Sequence, residues 1–142
     1  MTQPTRDLSP RIVLGSTDHE TLGRLARAGL DRMPELAETL LDELDRARVV
    51  EDAKLPEDVV RMGARVVYRT NGGAEQDVTL VYPAEADIAL GRISVLTPVG
   101  TALIGLRPGQ SIAWATRDGR REALTVLSVE PPHQEDPGPA AA

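Results

Sequence analysis

The hydrophobic period of this chain changes once, and that change restricts the fold more than any other feature. Over residues 17–48 apolar side chains recur at helical spacing, and from about Arg65 onward they alternate. In the first part Leu22, Leu25, Ala26 and Gly29 share one helix face, with Thr17 and Glu20 in capping-box spacing ahead of them. Residues 29–33 interrupt the pattern. Pro34 suits the first position of a second helix, because the N–H it lacks has no helical partner to lose. Leu36, Leu40, Leu41, Leu44 and Ala47 then form that helix's apolar stripe. Helices this short do not hold alone in water, so the pattern predicts an antiparallel hairpin packed on itself or on the remainder. Residues 11–14 read as a short strand or extended lead-in.

In the second part, strands are predicted at residues 66–68, 77–82, 93–96, 111–117 and 121–129. Asn71-Gly72-Gly73 and Asp118-Gly119 supply turns between neighbours. The stretch 93–109 has the strongest local grammar. A strand leads to Thr97, which can cap a helix, and Pro98 suits its first turn. Gly105 then ends the helix, and Pro108-Gly109 turns the chain. The fold class is therefore α+β: a short N-terminal antiparallel helical hairpin, and a C-terminal, mostly antiparallel sheet with one short helix. The expected organisation is a tail over 1–10, the hairpin over 11–50 and a linker over 51–64. A helical turn is expected in that linker at 56–62. The sheet domain follows over 65–130, and a proline-rich tail over 131–142.

Composition excludes several function classes. With no cysteine there is no disulfide scaffold, thiolate zinc site or cysteine nucleophile. A net charge of −6 disfavours binding to nucleic-acid phosphates and favours a protein partner. Trp114, Tyr68 and Tyr82 are the whole aromatic complement, too few for a base-stacking platform. No apolar run is long enough for a membrane span, and the first residues lack the apolar core of a secretory signal, so the cytoplasm is expected. His19 and His133 are read as surface residues, and nothing in their spacing builds a metal site. The glycines of 100–109 fit neither a Walker loop nor a dinucleotide fingerprint. Asp42, Glu43 and Asp45 read as a solvated helix face, with Arg24 and Arg27 giving the other helix a basic side. No catalytic residue, metal or cofactor is expected.

Four blocks of sequence, taken in order, resemble a known family. They are Leu41-Asp42-Glu43-Leu44-Asp45-Arg46-Ala47; Leu55-Pro56-Glu57-Asp58-Val59-Val60-Arg61-Met62 with Arg65-Val66; Thr79-Leu80-Val81-Tyr82-Pro83-Ala84; and Pro98-Val99-Gly100 through Ala102-Leu103 to Gly105. Together they resemble the bacterial Gre transcription factors, and more closely the Rnk group of regulators of nucleoside diphosphate kinase. The resemblance implies a helical coiled coil followed by a domain with an FKBP-like fold. It also implies RNA polymerase as partner, the globular domain docking at the rim of the secondary channel. On that reading the docking residues are Thr97, Pro98, Val99, Gly100 and Leu103, with Pro98 and Val99 the better exposed anchors and Leu103 a core residue. In Gre factors two tip carboxylates hold magnesium for the polymerase's active site. The tip here holds Asp31, Arg32 and Glu35, a spacing that departs from the Gre Asp-x-x-Glu, on a hairpin about half the Gre length. Binding without stimulation of transcript cleavage is the expectation. The FKBP-like implication also raises a peptidyl-prolyl isomerase, which the scarcity of aromatics disfavours. The family name raises regulation of nucleoside diphosphate kinase, through protein contact or through transcription.

Overall fold

The computed structural model describes residues 11–70, 73–115 and 119–132. A short strand β1 (Val13–Gly15) runs directly into helix α1 (Ser16–Ala28), which turns at Gly29 into α2 (Pro34–Arg46). Each helix has 13 residues, about 20 Å at 1.5 Å per residue. Leu22, Ala26, Leu40 and Leu44 bury the facing stripes, as the spacing predicts. Strand β2 (Arg48–Val50) follows and pairs in parallel with β1. This pairing returns the foot of the hairpin to its own start.

The main sheet contains β3 (Arg65–Thr70), β4 (Glu75–Val81), β5 (Arg92–Ser94), β6 (Ser111–Ala115) and β7 (Arg121–Glu130). Their spatial order is β5-β4-β3-β7-β6. All neighbours are antiparallel except β4 and β5, which run parallel and are joined through two 3-10 turns, Pro83–Glu85 and Ile88–Leu90. Between β5 and β6 lies α3 (Pro98–Leu103). One hydrophobic core spans both parts, running from Ile12, Leu22 and Leu40 through Val60 to Leu80 and Leu124.

The strand-helix-turn at 93–109 forms as read. Thr97 Oγ1 accepts from Gly100 N at 3.0 Å, and Pro98 occupies the first turn. Gly105 takes φ +82, and a Cβ there would lie 2.6 Å from Ile12 Cβ. Gly100 lies against the chain that leads into its own helix, where a Cβ would strike the Ser94 carbonyl oxygen and sit 2.8 Å from Val95 Cα.

Four expectations are corrected. The capping box does not form, because the helix starts at Ser16 and the acceptor for Thr17 N is Asp52 Oδ1, 3.0 Å away on the linker. The linker's helical turn falls at Asp52–Lys54, and residues 56–62 make turns held by Arg61 Nη2 donating to the Leu55 and Pro56 carbonyls. Residues 48–50, placed at the end of the hairpin segment with Arg48 closing its helical pattern, form β2, since β1 offers a parallel partner. His19 is no free surface residue: its Nε2 lies 3.1 Å from Leu44 O and ties the two helices together. His133 and the tail beyond residue 132 lie outside the described residues, as do Asn71, Gly72 and Asp118 of the predicted turns.

Candidate functional site

The hairpin tip and α3 line the same cavity. Gly29 ends α1 by donating to the Leu25 and Ala26 carbonyls, and Met33 N returns to Gly29 O at 2.8 Å, which sets the turn. Asp31, Arg32 and Glu35 are all exposed on it. Asp31 stands in the loop and Glu35 in the first turn of α2, where the helix dipole favours a carboxylate. Beside the tip is a cavity of about 600 Å³, with Arg32, Met33 and Leu36 on the hairpin side and Pro98, Ile112 and Trp114 on the other. Among the described residues no group of three or more His, Cys, Asp or Glu is arranged to hold a metal ion.

The five docking candidates divide by burial. Pro98 is exposed at the cavity, Thr97 is half-buried as the cap, and Val99 is half-buried against the core. Leu103 is fully buried and Gly100 is enclosed against the Ser94–Val95 main chain, so neither presents a surface to a partner. Both serve the fold. Thr101 is buried as well, its hydroxyl donating to Val95 O at 2.8 Å.

Met33, Leu36, Ile112, Ala113 and Trp114 belong to this region but carry no local motif. Trp114 gave the one signal available, as the sole tryptophan and two residues from Ile112 on the same strand face. Met33 and Leu30 leave the tip with exposed apolar surface.

At the other end of the hairpin a polar cluster fixes its root. Asp18, in the first turn of α1, accepts from Met62 N at 3.1 Å. Burial pushes its carboxyl above the usual range, outweighing that hydrogen bond, and the nearby Asp52 adds in the same direction. Asp52, exposed, is held below the usual range by its bonds to Thr17. The two therefore act oppositely with pH. Asp18 supports folding best below its unfolded value, and that support is lost as pH rises through its folded one. Asp52 supports folding above the unfolded value, and loses that support as pH falls through its folded one. Asp18→Asn should thus gain stability relative to the parent as pH is raised from 4 to 7. Denaturant midpoints measured across that range check it, and a variant-minus-parent stability difference that falls with rising pH would contradict it.

The comparisons with known proteins agree with this architecture. Residues 55–131 match the family described as transcription elongation factor GreA/GreB, C-terminal, and residues 10–50 match the Rnk N-terminus. The chain is 40% identical over 126 residues to the regulator of nucleoside diphosphate kinase of Escherichia coli K12, covering 85% of this chain and 90% of that protein. It is 35% identical over 88 residues to the transcription elongation factor GreA of Roseiflexus castenholzii, where the match spans 55% of the relative. A solved GreA/GreB elongation factor from Nitrosomonas europaea superposes with a TM-score of 0.67 at 34% identity, over 84% of this chain and 99% of that one. With an Rnk-type hairpin ahead of a GreA/GreB-type sheet domain, the chain belongs to the GreA/GreB family of transcription factors, on its Rnk side.

Proposed function

We propose that this chain is a transcription regulator that binds RNA polymerase at the secondary channel and does not stimulate transcript cleavage. The observation that carries the reading is the hairpin itself. Two 13-residue helices reach about 20 Å, and the tip closes over a cavity shared with Pro98 instead of standing clear of the domain. A short tip with Arg32 between Asp31 and Glu35 is poorly suited to delivering two carboxylates to one magnesium ion, which wants near-octahedral oxygen ligands. The factor's contribution is then occupancy, and the polymerase keeps the chemistry. It acts in the cytoplasm with its partner.

The docking face is the exposed end of α3, Thr97 to Val99. Pro98→Asp keeps the fold, since the site is exposed and an acid is tolerated at a helix start. It should weaken binding to core polymerase about tenfold, as loss of a central apolar anchor does. Val99→Asp should weaken binding as well, and because Val99 is half-buried against the core it should also lower stability. Co-purification with core polymerase, with and without a competing Gre factor, measures it. Unchanged affinity in folded variants would exclude this face.

The name of the Escherichia coli relative favours a second reading, an effect on nucleoside diphosphate kinase. No nucleotide-binding motif is present, so a direct effect would require protein contact. Binding of purified chain to purified kinase separates contact from control through transcription.

A further inference from the structure

We draw no further inference here: the strongest candidate, the apolar cavity of about 600 Å³ between the hairpin tip and the edge strand β6, holds Arg32, Glu35 and Glu43 in one lining, and nothing in the structure shows what covers it.

Discussion

Gly100→Ala should destabilise the protein by about 3 kcal/mol or more, although the residue lies in a helix. In an exposed helix the same change stabilises by roughly 1 kcal/mol, because alanine is the better helix former. Here the sign reverses, since the added Cβ meets the Ser94 carbonyl oxygen and lies 2.8 Å from Val95 Cα. Both obstacles are main chain and cannot rotate away. They belong to the segment that Thr97 and Thr101 hold in place, Thr97 Oγ1 donating to Ser94 O and Thr101 Oγ1 to Val95 O. The substitution must therefore lift α3 off β5 and disturb Leu103 beneath it. Chemical denaturation measures the loss, and a neutral or stabilising result would mean the helix rides free of the strand.

Leu40→Ala should cost about 3 kcal/mol, the usual loss for a large buried aliphatic side chain. Leu40 is fully buried, in one core with sheet residues such as Leu80 and Leu124. The loss should appear in one transition. Trp114 fluorescence reports the sheet edge and far-ultraviolet circular dichroism reports the helices, and their midpoints should shift together. An earlier melting of the helical signal alone would mean that the hairpin is a separate unit. The predicted coupling also bears on function, because a hairpin fused to the core holds its tip at the cavity.

Much of the fold was legible where the signal is local. Pro34 marked the second helix, and the two leucine stripes marked the buried faces. Thr97, Pro98 and Gly105 fixed α3 almost to the residue. What escaped depends on partners distant in sequence. Arg48–Val50 is too short to announce itself as a strand, and only β1, brought alongside by the closing hairpin, makes it one. The acceptor at the start of α1 is Asp52, far along the chain, so Thr17 and Glu20 gave a plausible local pattern that the folded chain does not use.

The site divides in the same way. Exposure at Pro98 and burial at Leu103 followed from the helix and the apolar pattern around it. The cavity could not be read in advance, because α2, α3 and β6 each contribute a wall and no one segment carries its signature. Trp114 falls in the predicted strand 111–117, which by itself does not say how deeply the side chain is buried. It is half-buried because β6 is an edge and the space beyond it is open.

The most direct test of the central claim is transcript cleavage by a backtracked RNA polymerase complex, with this chain titrated against a fixed amount of a Gre cleavage factor. The account predicts no stimulation by the chain alone and a progressive loss of Gre-stimulated cleavage as the two compete for the channel. Strong cleavage with the chain alone, abolished by Asp31→Ala, would contradict it.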